Sequence, residues 1–367
     1  MNKKEVAEIK KQFSPQNCAL TRLCTCYVDG EKNRKMETRE AFLSQSEEEC
    51  FKYFEIFRKC LTGSIGKNLI NLDFPLQAEA CDGQQAILLQ LLQEKLKDDD
   101  TLEKFYNRVI ETYDCSGSYL ICLIHGNYDI PGKTSDNQEQ FDSSDEVFEY
   151  ILGAICPVNL SKAGLSYQEK DKRFGSRIRD WLADMPMTGF LFPAFEDRST
   201  DIHKLLYYSK NTKDLQESFI AEMFGCKAPL SASAQNKKFN DLVKEALGDD
   251  CSYEAVQNIQ DKLYELREDE NLILDNQKIK ALLAASGLEG EKLQEVERRF
   301  DVSRDNKVEF LASNLGNAKK YKVKTPEITV QVPAERTDLV ETKLINGRKC
   351  LVIALDGPVE VNGIPVH

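Results

Sequence analysis

The densest grouping of chemically capable side chains is Phe192-Pro193-Ala194-Phe195-Glu196-Asp197-Arg198-Ser199-Thr200-Asp201-Ile202-His203, with three carboxylates, a guanidinium and an imidazole. A second group, His125-Gly126-Asn127-Tyr128-Asp129, closes an apolar run, and the chain has only three histidines. If Asp129, Asp197, Asp201 and His203 converge in one pocket, they could bind a divalent metal ion and activate water, or serve as acid–base partners. The competing reading is a salt-bridged loop in which Arg198 pairs with Asp197 or Asp201. No spacing here matches a defined hydrolase, kinase or nuclease motif.

Cys18, Cys24 and Cys26 form a C-x5-C-x-C pattern. On a strand over 22–28 the Cys24 and Cys26 side chains share a face, because side chains alternate with period two. Two thiolates so placed could hold a soft metal or form a redox couple. A structural zinc site draws on C-x2–4-C pairs and a fourth ligand, and no histidine lies nearby. The alternative is buried, apolar cysteine. Cys122, Cys156 and Cys350 also sit in apolar stretches, where a thiol behaves as a small hydrophobe. The twelve cysteines therefore read as free thiols of a cytoplasmic protein rather than a disulfide framework.

Three look-alike motifs fail on their spacing. Gly63-Ser64-Ile65-Gly66-Lys67-Asn68 has two residues, not four, between its glycines and lacks the Ser/Thr of a phosphate loop. Asp301 to Glu309 resembles half of a calcium loop, with Asn306 where glycine belongs and Ala312 where glutamate belongs. Residues 281–300 could be drawn as a helix-turn-helix, but its second helix would open on Gly290-Glu291-Lys292-Leu293-Gln294-Glu295, presenting acids to phosphates.

The elements that must position these groups follow from the apolar pattern. Val6, Ile9 and Phe13 mark one side of an opening helix. Leu20–Val28 alternates and runs into Asp29-Gly30, a hairpin signal. Ser46-Glu47-Glu48-Glu49 is a capping box opening a helix to about Leu61, with Phe51, Phe54 and Phe57 on its buried side. A strand near 69–74 and helices at 84–97 and 102–113 follow, the second preceded by Asp98-Asp99-Asp100, which suits a helix N-terminus. Strands are expected at 118–125, 149–157, 188–195 and 202–209, with 133–145 polar enough for a mobile loop. Helices return at 213–224, 235–247, 253–267, 276–286 and 290–300, packed through Leu242, Leu247, Leu263, Leu282 and Leu293. From Val308 the pattern is strand-like, with turns at Asn346-Gly347 and Asn362-Gly363.

At 367 residues, 41% hydrophobic and 30% charged, the chain can build a normal core. No apolar run is long enough for a membrane helix, and the first residues lack the apolar core of a secretory signal. The net charge of −12 argues against nucleic-acid or membrane binding by the whole surface. Residues 1–39, with nine Lys/Arg to five Asp/Glu, read as the only clear positive bias.

Four long segments carry a resemblance: Lys10–Phe13 to Cys26–Lys32, Ile155–Lys162, Gly189–Phe195 to Asp201–His203, and Leu339–Thr342 to Val361–Gly363. Together they resemble a bacterial family catalogued as domain of unknown function 4317, found mainly in anaerobic Gram-positive gut bacteria. The resemblance spans essentially the whole chain. It implies a cytosolic protein of low-oxygen cells and supplies no activity or catalytic residue. Where the family pattern has Asn, this chain has Glu196, which counts against an obligatory acid there.

The expected architecture is α+β: helices with a largely antiparallel central sheet over 1–226, an acidic helical subdomain over 230–306 and a small C-terminal β module over 307–367. Strands and helices are segregated rather than alternating, which argues against a parallel doubly wound sheet. With no catalytic spacing surviving, the leading functional expectation is a binding or scaffolding protein. Its partner would be another protein, or nucleic acid through the basic N-terminal segment, and not a membrane. A metal-assisted hydrolase at Asp129, Asp197, Asp201 and His203 is the alternative, and a thiol–metal or redox protein at Cys24 and Cys26 the third.

Overall fold

The protein is described here from a computed structural model covering residues 1–133, 139–248, 251–266, 272–285, 310–316, 320–361 and 364–366. It divides into two compact units, Met1–Ser231 and Ala232–His367. The fold is mixed α+β, as expected.

The first unit is built on an antiparallel sheet. Its strands are β1 (Leu20–Val28), β2 (Arg34–Ala41), β3 (Leu69–Asp73), β4 (Ser118–Lys133), β5 (Glu139–Leu160), β8 (Trp181–Ala183), β9 (Thr188–Phe192) and β12 (Lys204–Ser209). They run in the order β2-β1-β4-β5-β9-β12-β3, with β8 joining the end of β5. Every pairing in this sheet is antiparallel.

Alternation along these strands feeds two cores, one on each face. Cys24, Cys26, Ile121, Leu123, Ile151, Phe190 and Tyr207 point to one face. That face is covered by α3 (Gln84–Gln93), α4 (Asp99–Thr112) and α5 (Glu217–Phe224). Leu23, Cys122, Ile124, Tyr150, Leu152, Leu191 and Tyr208 point to the other, covered by α1 (Lys3–Lys10) and α2 (Glu47–Cys60). A sheet buried on both faces explains why its central strands read as nearly continuous apolar runs.

Helix ends follow local chemistry. Asn2 and Glu5 form a capping box on α1, Ser46 and Glu49 one on α2, and the Asp98 side chain accepts from Thr101 N at 3.0 Å to start α4. The helix expected over 84–97 ends at Gln93, because Lys95 and Leu96 turn into the left-handed region at φ 52° and 58°. Phe54 and Phe57 are buried on α2, whereas Phe51 is exposed.

Two expectations for the strands are corrected. Part of the expected loop over 133–145 is strand: β5 already begins at Glu139, and the β4–β5 pairing reaches Lys133↔Glu139, while 134–138 lie outside the described residues. Register shifts near Pro131 allow the ladder to continue past a residue that lacks an N–H. The strand expected over 188–195 is two, because Pro193 interrupts it and β10 (Ala194–Glu196) turns out of the sheet to pair with β11 (Ser199–Asp201).

The second unit has its own core. Phe239, Val243 and Leu247 of α6 (Ala232–Leu247) pack with Ile259 and Leu263 of α7 (Tyr253–Leu266) and Ile279 and Leu282 of α8 (Asn276–Ala285). Leu242 is half-buried against that core, and Leu293 lies outside the described residues. Strands β13 (Ile273–Leu274) and β14 (Phe310–Leu311) pair beside it. Three hairpins follow: β15 (Lys320–Lys324) with β16 (Thr329–Pro333), β17 (Val340–Ile345) with β18 (Arg348–Ile353), and β19 (Val359–Val361) with β20 (Ile364–Val366). Asn346 and Gly347 turn the middle one with positive φ at both positions. The Tyr253 hydroxyl donates to Val340 O at 2.8 Å, tying α7 to that hairpin. The expected helix over 290–300, the segment 301–309 and the Asn362-Gly363 turn lie outside the described residues.

Candidate functional site

The polar cluster at 192–203 is a tight hairpin with a positioning job. Asp197 and Arg198 occupy its two-residue turn with φ 51° and 59°, the geometry of a type I′ connection between β10 and β11. The turn is clamped onto α1. Asp197 N donates to Glu5 Oε1 at 2.9 Å, while Glu5 Oε2 accepts from Asn2 N at 2.6 Å, so one buried carboxylate serves both the helix cap and the turn. Arg198 donates to Glu8 Oε1 at 2.8 Å and to Pro131 O at 3.0 Å, and the Tyr128 hydroxyl donates to the same Glu8 oxygen at 2.7 Å.

Glu196, Asp201 and His203 of that cluster are also partnered. Lys204 bridges Glu196 and, at 3.4 Å, Asp201. Asp201 Oδ1 accepts from His203 N at 3.0 Å. The exposed His203 ring contacts Glu79 at 2.7 Å through Nδ1, and that hydrogen bond raises its pKa. Asp129 is exposed on β4, opposite Val147 of β5. Arg198 thus bonds to Glu8 of α1. Among the described residues no group of three or more His, Cys, Asp or Glu is placed to hold a metal ion.

Cys24 and Cys26 do share a face of β1, wholly buried beneath α3 and α4. Burial raises both thiols; Cys26 is pushed up to about 12, with the Glu37 carboxylate adding to the effect. The Cys24 thiol donates weakly to Leu96 O at 3.8 Å. None of the twelve cysteines is in a disulfide; Cys18 and Cys350 are half-buried, and Cys81 and Cys251 are exposed.

His125 lies on the same face. Its Nδ1 is hydrogen-bonded to the Thr21 hydroxyl at 2.7 Å, and its buried Nε2 has no partner. Burial lowers its pKa to about 4, so the ring is neutral at pH 7. Between the sheet, α4 and α5 lies a cavity of about 10 Å³, lined by residues including Phe105, Val109, Leu123, Phe219 and Met223. It has room for one water at most.

The feature that sequence reasoning missed lies between β5 and β9. From Lys162 to Met185 no residue is buried. The segment forms a separate hairpin, β6 (Leu165–Gln168) with β7 (Arg173–Ser176), and returns through β8. The backbone N–H of Ser161 donates to Asp180 O at 2.8 Å, so the arm leaves and rejoins the sheet at one place. Tyr167 and Phe174 face each other across the hairpin with ring centroids 5.8 Å apart. They are 57% and 68% exposed, and Trp181, the chain's one tryptophan, is 60% exposed. Leu165 and Ile178 are more exposed still. The available signal was compositional: rings at 167, 174 and 181, a seven-residue interval, with cations between them and no apolar period to assign a buried face.

A family model described as domain of unknown function (DUF4317) matches residues 1–364. The chain belongs to that family. No curated protein matches it, and no solved structure matches it. In this DUF4317 chain Glu5, Glu8, Tyr128 and Arg198 are engaged in holding α1, β4 and the β10–β11 hairpin together. No helix among the described residues is long and apolar enough to cross a membrane. The 162–185 arm exposes Leu165, Tyr167, Phe174, Ile178, Trp181 and Leu182 within one segment, and large apolar exposure marks interaction sites.

Proposed function

We propose that this DUF4317 protein is a cytoplasmic binding or scaffolding protein that engages its partner through the 162–185 arm. One observation carries the reading: three aromatic side chains and several aliphatic ones stand in solvent on an arm that contributes nothing to either core. Keeping such groups in water forgoes roughly 1.5–3 kcal/mol per side chain of available burial. A surface of that kind gains free energy when a partner covers it. The absence of disulfides among twelve cysteines supports a reducing compartment.

The test compares the wild-type protein with a Tyr167→Ser/Phe174→Ser/Trp181→Ser variant by size-exclusion chromatography of native extracts from its own cells. The wild-type protein is expected in a species larger than the purified chain, and the variant at the size of the purified chain. Elution of both at the size of the purified chain would sink the reading.

A further inference from the structure

Resting on the arm as the contact element, we propose that its ligand is single-stranded nucleic acid, with the exposed rings stacking on unpaired bases and the arm's cations facing phosphates.

The arm, residues 162–185, carries six Lys/Arg against four Asp/Glu, inside a chain whose net charge is −12. None of Lys162, Lys170, Lys172, Arg173 and Arg177 makes an ion pair among the described residues. Three cations of the other basic segment are neutralised by contrast. Arg34 pairs with Glu37 and Glu103, Lys35 with Asp29, and Arg39 with Glu37 and Asp99. The arm therefore keeps positive charge free to meet an anion, while the acidic remainder of the protein keeps a polyanion from binding elsewhere.

Protein-binding surfaces deplete lysine from their centres, though they enrich arginine and aromatic rings. On this arm Lys162, Lys170 and Lys172 flank the rings in sequence. Aromatic side chains on exposed strands are the usual platforms for unstacked bases, and cations along the same groove track the backbone. A duplex hides its base faces, so the rings select single strands.

The experiment is fluorescence anisotropy of the full chain with labelled oligouridine, oligothymidine and a duplex of equal length at low salt. Binding is expected for the single strands and at least tenfold weaker for the duplex. The Tyr167→Ala/Phe174→Ala/Trp181→Ala variant should lose tenfold or more. Lys170→Gln/Lys172→Gln/Arg173→Gln should reduce the steepness of the log–log salt dependence by about 2. Unchanged thermal unfolding of both variants will show that the fold is intact. Uridine and thymidine arms distinguish RNA from DNA. No anisotropy change with wild-type protein, or equal binding by the variants, overturns the nucleic-acid proposal. If the large species in cell extracts still depends on the arm but survives nuclease treatment, the partner is a protein and the binding reading stands without this one.

Discussion

His125 sits wholly inside the sheet with one ring nitrogen bonded to Thr21 and the other unpartnered, so protonating it puts an unpaired charge in the core. Its pKa falls from an ordinary 6.5 to about 4 on folding. Above pH 6.5 the ring is neutral in both states and costs nothing. As pH falls from 6.5 toward 4, the unfolded chain takes up the proton and the folded one does not, so stability is lost across that window. Urea unfolding at pH 7 and pH 5 should show a loss of about 2 kcal/mol from this group. His125→Asn, which cannot be protonated, should flatten that part of the profile; an unchanged profile would falsify the assignment. The thiols give a second residue-scale expectation. Native protein treated with iodoacetamide at pH 8 should be modified first at the exposed Cys81 and Cys251, with Cys24 and Cys26 reacting only on unfolding, because burial both shields and protonates them. Peptide mass spectrometry finding Cys24 alkylated as fast as Cys81 would contradict the burial. That the two cysteines share a face was readable from β-strand alternation. That the face lies under two helices was not, because a buried face and a metal-binding face have the same period.

At the scale of elements, α2 lies so close to the sheet that only glycine fits beneath it. A Cβ on Gly189 would come within 2.5 Å of Cys60 Sγ and 2.7 Å of Gly153 O, and the second of these is backbone that cannot rotate away. Gly189→Ala is expected to cost about 1–3 kcal/mol in chemical denaturation, and a neutral result would mean that α2 packs more loosely than described. The capping box on the same helix predicts a smaller effect: Ser46→Ala should cost about 1 kcal/mol. That box was legible in Ser46-Glu47-Glu48-Glu49. The β10–β11 hairpin was not: its polar sequence reads as a catalytic loop because Asp, Arg and Ser serve tight turns and active sites alike, and its anchors, Glu5 and Glu8, lie some 190 residues away in sequence.

For the whole molecule, two cores on opposite faces of one sheet make Met1–Ser231 self-sufficient in burial. Residues 1–231 expressed as a separate chain are expected to unfold in one cooperative transition. The arm should be dispensable to that transition. Replacing 162–179 with two glycines, across the gap that the Ser161–Asp180 hydrogen bond already closes, should move stability by no more than about 0.5 kcal/mol, since no side chain removed is buried. A larger loss in thermal or urea unfolding would make the arm part of the fold rather than a contact element.

The sequence alone determined the class and the order of elements. Apolar period, capping residues and turn dipeptides are local, so α1, α2, β1, β3 and the Asn346-Gly347 hairpin can be placed from neighbouring residues. It also determined the acidic charge, the free cysteines and the family. Only the tertiary structure decided what the polar residues do. A carboxylate that caps a helix and clamps a turn has the same local sequence as one that holds a metal, and the choice depends on which distant groups the chain brings within hydrogen-bond reach. The exposure of Tyr167, Phe174 and Trp181 was likewise undecidable from the sequence, because an aromatic side chain becomes surface only when no other element is long enough, or close enough, to cover it.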